Sequence, residues 1–315
     1  MKKNIIKPIL FIAIIFVLMI ILSFIFIPKD NTKEAGMKEF GAQKILGEKE
    51  NTVDLIVLGN SEAFTSIIPM KLWEDYGYTS YICGYPGQVL PDTIKTLYDV
   101  TRKQKPKVVV LEADAIFDEY PLSVPLARVI QTVLPITEHH DRWKNLKLDD
   151  FYKKVEYTTT DIMKGYHYTK QIDPANAEGY MSYSEELQKL NFRSKMLIKL
   201  MNEYCKKNGA ELIIMSTPSC KNWTYKKHNT IKQVADTEKI VYIDFNLLVD
   251  ELKIDWSKDT LDKGDHMNFY GSTKLTNHFG KYLDGRKILK NHKNDSEYSK
   301  WEKDLTEYKN IIAGD

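Results

Sequence analysis

Two stretches of the chain carry residue types that do chemistry together. The first, Asp54-Leu55-Ile56-Val57-Leu58-Gly59-Asn60-Ser61-Glu62, is an apolar run that stops at a glycine and sets a hydroxyl just beyond it. The second, Asp262-Lys263-Gly264-Asp265-His266-Met267-Asn268-Phe269-Tyr270-Gly271, places a histidine among carboxylates and glycines. A serine hydroxyl becomes a nucleophile when a histidine within hydrogen-bond reach takes its proton and a third group orients that histidine. The chain has seven histidines, and only His266 has an acidic neighbourhood followed by turn and helix signals. A carboxylate a few residues earlier on the same loop holds the imidazole Nδ1–H and fixes its tautomer. Asp262, four residues before His266, and Asp265, one before it, are the candidates. Side chains four apart face each other where a loop makes a helical turn, which favours Asp262. Gly264 and Gly271 let the backbone turn tightly around them. Taken singly, Ser61 suits a helix N-cap or a turn, and Asp265-His266 suits a helix start.

These residues need elements to position them. Short β-branched runs at 53–58, 79–83, 107–111, 211–215 and 240–245 alternate with helical patterns at 91–103, 185–208, 226–238 and 270–283. Near-continuous apolar strands between amphipathic helices predict a parallel sheet covered on both faces, an α/β domain of three layers, α/β/α. In such sheets the ligand crevice lies outside the carboxyl ends of the strands. Ser61, Asp114 and Thr217 follow the first, third and fourth strands and fall on that edge. The His266 loop follows the fifth strand and reaches it too. Residues 118–184 break the alternation and read as an insertion capping the crevice. Trp73 and the tyrosines of 152–182 suit a sugar-binding groove or simple packing.

The first 29 residues differ from the rest. A short basic stretch containing Lys2, Lys3 and Lys7 precedes Ile9–Ile27, nineteen residues without a charge. At a rise of 1.5 Å per residue the run spans about 28 Å, near the roughly 30 Å of a bilayer core. No small-residue cleavage site follows, so residues 1–29 are expected as an uncleaved anchor with its N-terminus inside. Residues 30–50 then form a linker, 51–285 the main domain outside the cytoplasm, and 286–315 a charged helical tail exposed to solvent.

Composition narrows the function. The 315 residues carry 45 basic and 43 acidic side chains, a formal net charge of +2, which argues against a nucleic-acid partner. Three cysteines without a C-x-x-C pair supply neither a disulfide framework nor a metal site. No cofactor and no metal are expected.

Together, LIVLGNSE and DKGDHMNFYGSTKLT resemble the SGNH/GDSL hydrolase superfamily, with the likeness extending over residues 52–284. The resemblance implies an SGNH-like α/β fold with Ser61 as nucleophile and His266 as general base. It also implies an oxyanion hole built from the serine N–H, a glycine matched by Gly84, and an asparagine. The block after the third strand places Asp114 where that asparagine stands, and Asn60 is the alternative donor. The family's acid stands three residues before the histidine, where this chain has Lys263. A domain of this kind on a membrane anchor is similar to bacterial envelope-modifying proteins, among them DltD-like proteins and partners of membrane-bound O-acyltransferases. The resemblance thus implies O-acyl transfer, most often acetyl, from a membrane-bound O-acyltransferase to a cell-surface glycopolymer. Its alternatives are an esterase removing such groups, D-alanyl transfer to teichoic acid, and a non-catalytic adaptor.

Overall fold

Five short runs pair edge to edge, the central ones because they are apolar on both faces. In the computed structural model, which describes residues 2–37 and 40–314, they are β1 (Leu55–Leu58), β2 (Ser80–Ile82), β3 (Val108–Glu112), β4 (Glu211–Ser216) and β5 (Val241–Asp244). All pair in parallel, in the order β2-β1-β3-β4-β5. Every residue of β1, β2 and β3 is buried, which explains why these runs show no polar alternation. Each fully buried Val, Leu or Ile contributes about 1.5–3 kcal/mol relative to exposure.

The flanking helices form two layers. After α1 (Lys2–Phe26) and α2 (Phe40–Gln43) come α3 (Ser61–Phe64), α4 (Pro69–Tyr76) and α5 (Leu90–Thr101). The β3–β4 connection contains α6 (Ser123–Val133), α7 (Ile136–His139) and α8 (Phe192–Lys207). Beyond β4 lie α9 (Tyr225–Glu238), α10 (Val249–Leu252), α11 (Phe269–Arg286) and α12 (Ser299–Gly314). α5 and α8 pack together on one face, with α9 beside α8, and α4 packs with α11 and α12. A short antiparallel pair, β6 (Thr260–Leu261) and β7 (His266–Met267), precedes α11. The predicted α/β architecture with a central parallel sheet is therefore present, and the predicted strands match to within one or two residues at each end. The helix expected from 185 begins only at Phe192, where Asn191 caps it by accepting from Arg193 N–H.

α1 contains one stretch, Ile6–Phe26, long and apolar enough to cross a membrane. The segment 30–50, expected as a linker, is packed instead; its residues 38 and 39, like Met1 and Asp315, lie outside the described residues. Asn31 is buried, donates to Thr159 O at 2.7 Å and accepts from Thr159 N–H at 3.0 Å, while Ile45 joins the core. The tail 286–315 is likewise not a free solvated helix. Trp301, Leu305 and Tyr308 recur at helical spacing and are buried, so α12 docks by an apolar stripe that its charge content masks. The insertion 118–184 forms no single lid. α7 and the helical turns that follow it lie beside α1 and α6 packs on α5, whereas residues 159–180 run as irregular chain hydrogen-bonded to Phe64, Thr260, Trp256 and Asn246. Trp73 is fully buried against Trp301 at 5.6 Å and serves the core, not a groove.

One ionic contact ties three of these segments. Lys164 is fully buried, with Nζ donating to Glu48 Oε1 at 2.7 Å and to Asp304 Oδ2, and it lies 4.6 Å from the Trp301 ring. Removing one partner of a buried pair leaves uncompensated charge. Lys164→Ala should therefore lower stability by about 3–5 kcal/mol in urea unfolding. A loss below about 1 kcal/mol, the range of a surface pair, would show that α12 docks without this contact.

Candidate active site

The site begins with a change of direction in the sheet. The chain leaves β1 towards β2 but leaves β3 towards β4, so the turns after β1 and β3 diverge and open a crevice, where ligands of open α/β sheets bind. Gly59 makes the first turn with φ +147°, and a Cβ there would meet Glu112 Cβ at 2.8 Å. Only glycine suits both the conformation and the close approach. Asn60 caps α3, its Oδ1 accepting from Glu62 N–H, so Ser61 is the first helical residue. Ser61 is half-buried, and its hydroxyl is held by no partner among the described residues. Gly84, at the end of β2, lies against this turn; a Cβ on it would meet Gly59 O at 2.8 Å.

The histidine arrives on a hairpin. Leu261 pairs with His266 across β6 and β7, and the connection runs through Asp262, Lys263 and Gly264 with φ of 52°, 58° and 87°. This left-handed curl, rather than a right-handed helical turn, folds Asp262 back so that its Oδ2 lies 2.9 Å from His266 Nδ1. Asp265 Oδ2 lies 3.9 Å from the same nitrogen. The other Asp265 oxygen accepts from Asn222 Nδ2 at 2.6 Å and from Ser219 Oγ at 3.3 Å. Asp262 is therefore the carboxylate that meets the imidazole Nδ1, and Asp265 ties the hairpin to the loop after β4. His266 Nε2 is buried and unpartnered, so a Ser61–His266 hydrogen bond is not formed here. Such bonds often tighten only when substrate is present.

Sequence reasoning passed over three residues that shape this edge. Asn268, fully buried, caps α11 through its Oδ1 and donates from Nδ2 to Lys258 O, Gln171 O and Thr260 O, which fixes the base of the hairpin. An asparagine just before a helix was the available signal. Glu62 and Glu112, both buried, meet through Thr217, whose hydroxyl lies 3.3 Å from Glu62 Oε2 and 3.4 Å from Glu112 Oε1. Glu112 also accepts from Asp114 N–H at 2.8 Å and Thr217 N–H at 3.4 Å. Burial, then the neighbouring carboxylates, push both glutamates above the usual range. Burial beside Asp114 also raises Asp118.

The oxyanion candidates are differently placed from expectation. Asn60 Nδ2 donates to Asp114 Oδ2 at 3.0 Å, and Lys227 Nζ reaches Asp114 Oδ1 at 2.8 Å. Asn60 thus gives one amide hydrogen to Asp114 and also hydrogen-bonds the Asp118 side chain, while Asp114, as a carboxylate, offers no donor. Asp114 is a paired carboxylate because Lys227 neutralises it across the crevice. Glu62, Asp265 and His266 each place one ligand-type atom within 4.8 Å of the others, which puts His266 beside the turn that carries Ser61. This is the one group among the described residues with metal-ligand chemistry. A cation there would need Glu62 ionised, against the burial that raises its carboxyl, and would take the His266 lone pair.

No protein-family model matches the sequence, and no curated protein matches it. Among solved structures, the chain is similar to a lipase/acylhydrolase from Enterococcus faecalis at 12% identity and a TM-score of 0.41, covering 76% of this chain and 97% of that one. TesA matches at 12% identity and a TM-score of 0.40, over 75% and 99% of the two chains. A protein of Bacteroides fragilis NCTC 9343 assigned as an acylhydrolase matches at 15% identity and a TM-score of 0.40, over 79% and 96%.

The raised Glu62 carboxyl makes stability depend on pH. Above the ordinary glutamate value of about 4.3, the unfolded chain has released a proton that the folded protein still holds. Wild-type stability must then fall as pH rises towards the folded-state pKa. Glu62→Gln removes this contribution, so its stability relative to wild type should increase as pH rises through the range above the ordinary glutamate value. Urea midpoints of both proteins across that range measure it, and parallel curves would show that Glu62 is ionised when folded.

Proposed function

We propose that residues 51–285 act outside the cytoplasm as a serine-dependent O-acyltransferase, most plainly an O-acetyltransferase, on a cell-surface glycopolymer. The observation that supports this best is His266: its Nδ1 is held by Asp262, and its buried Nε2 is left unpartnered beside the Ser61 turn. That is the arrangement a general base needs when the nucleophile is a hydroxyl.

In the first step, Ser61 Oγ attacks the acyl carbonyl of the donor as His266 Nε2 takes the hydroxyl proton. The tetrahedral oxyanion collapses, the bond to the donor's leaving group breaks, and His266 returns its proton to that group, leaving acyl-Ser61. In the second step, His266 takes the proton of a sugar hydroxyl, whose oxygen attacks the acyl-serine. Collapse then restores the Ser61 hydroxyl with the same proton. Since Asn60 and Asp114 engage each other, the backbone N–H groups of Ser61 and Gly84 are the oxyanion donors in this reading. A membrane-bound O-acyltransferase supplies the acyl group, and the N-terminal helix holds the domain at the surface where that group emerges. Water as acceptor makes the same site an esterase, and a D-alanyl donor makes it DltD-like. The Asn60–Asp114 pairing favours one reading of another class, an adaptor that retains the fold and binds polymer without forming an acyl-enzyme.

Treating the detergent-solubilised full chain with an activated acetyl ester, followed by acid quench and peptide mass spectrometry, decides between these classes. Wild type should carry acetyl on the Ser61 peptide, and Ser61→Ala should carry none. Asp262→Asn should slow acylation on the order of 10²–10⁴-fold, the contribution of an oriented general base, and Asp265→Asn far less. Absence of adduct and of ester turnover from the wild-type chain would favour the adaptor.

A further inference from the structure

α6 is a helix in which no residue is buried. Leu122, at its N-cap, and Leu126, Val129, Ile130 and Val133 recur at helical spacing along one face and are each 49–65% exposed. The chain then turns and exposes Trp143, Leu148, Phe151 and Tyr152, at 54–83%. Isolated apolar side chains on a surface need no explanation, but nine large ones exposed between 122 and 152 mark an interaction site.

What covers this face follows from where it is fastened. Ile136 N–H, at the start of α7, donates to Ser23 Oγ at 3.1 Å, and the Arg142 guanidinium donates to Phe26 O at 2.6 Å. α7 and the helical turns His140–Lys144 and Leu148–Phe151 all pack on α1. Ser23 lies three residues before Phe26, about 4.5 Å inside the end of the helix. The apolar face is therefore held at the level where the chain leaves the hydrocarbon, with the exposed apolar surface of α1 continuing from it. Trp143 and Tyr152 have the amphipathic rings that favour such a boundary, and exposed Lys144, Lys147 and Lys154 suit anionic headgroups.

We propose that the apolar face of 122–152 lies in the outer boundary of the lipid bilayer, so that the domain is seated on the membrane and not merely tethered to it. This rests on the membrane placement of α1. Its consequence concerns the site: Leu122 follows Asp114 by eight residues, at most about 29 Å of extended chain. The crevice thus stays close to the lipid surface, where an acyl donor embedded in the membrane is within reach.

The test uses the full chain with Cys220→Ser, since Cys83 and Cys205 are buried, in vesicles of phosphatidylglycerol and phosphatidylethanolamine. Nitroxide labels go on Leu126→Cys, Val129→Cys and Leu148→Cys, with Phe16→Cys on α1 and Lys199→Cys on α8 as references. Collision rates are read against oxygen, which partitions into lipid, and against a water-soluble nickel complex. The expected result is an oxygen-to-nickel ratio several-fold higher at 126, 129 and 148 than at 199, and approaching that at 16. Ratios equal to that at 199, with 16 in lipid, would overturn the seating while leaving the anchor intact. Protection from both reagents would overturn it in favour of a protein covering the face. Nickel access at 16 as well would overturn the membrane placement itself. None of these readouts depends on catalysis, so the inference and the proposed chemistry fail separately.

Discussion

The change of strand direction between β1 and β3 is the constraint on which the rest of this protein depends. Two parallel strands side by side send their chains opposite ways, and the space between the departing turns is the crevice. The turn after β1 passes so close to Glu112 that only a glycine at 59 fits, and this delivers Ser61 to the edge as the first residue of α3. Gly84 closes the other side for the same steric reason. The serine's position is thus a consequence of backbone packing at the sheet edge.

Around that edge the electrostatics are unusual for a protein of nearly balanced charge. Glu62, Glu112, Asp114, Asp118 and Asp265 converge there, opposed by Lys227 on Asp114. Like charges this close oppose one another's ionisation in a buried setting, so the carboxyls of the two most buried, Glu62 and Glu112, are pushed up. A carboxylic acid that keeps its proton becomes a hydrogen-bond donor. The crevice floor therefore differs chemically from the acidic patch that its residue types suggest. Lys227 adds a cation whose ammonium also lies over the Phe117 and Trp223 rings, at 5.1 and 5.7 Å, which couples α9 to the turn after β3.

Segments that look peripheral hold the domain together and set its relation to α1. The Asn31–Thr159 pair fixes the chain just after α1, and Lys164 joins Glu48 to Asp304 on α12. The irregular strap 159–180 lies between these contacts and runs on to the His266 hairpin, meeting Thr260 and Trp256. A hydrogen-bonded path thus connects the elements beside α1 to the loop that carries the histidine.

The sequence alone determined the strands and the two chemical blocks, because both are local. A β-branched run between turn residues reads as a strand wherever it sits, and an apolar run of this length reads as a span. The Asp262–His266 separation was also visible, since four residues bound how far two side chains can lie apart. What only the tertiary structure decided was non-local: the left-handed hairpin that brings Asp262 to Nδ1, the engagement of Asn60 by Asp114, and the burial that raises the Glu62 carboxyl. Each depends on groups more than 50 residues apart or on a backbone conformation that propensity does not specify. The docking of 30–50 and of α12 was hidden likewise, because a few apolar residues among many charges bury only when a distant partner such as Lys164 is in place.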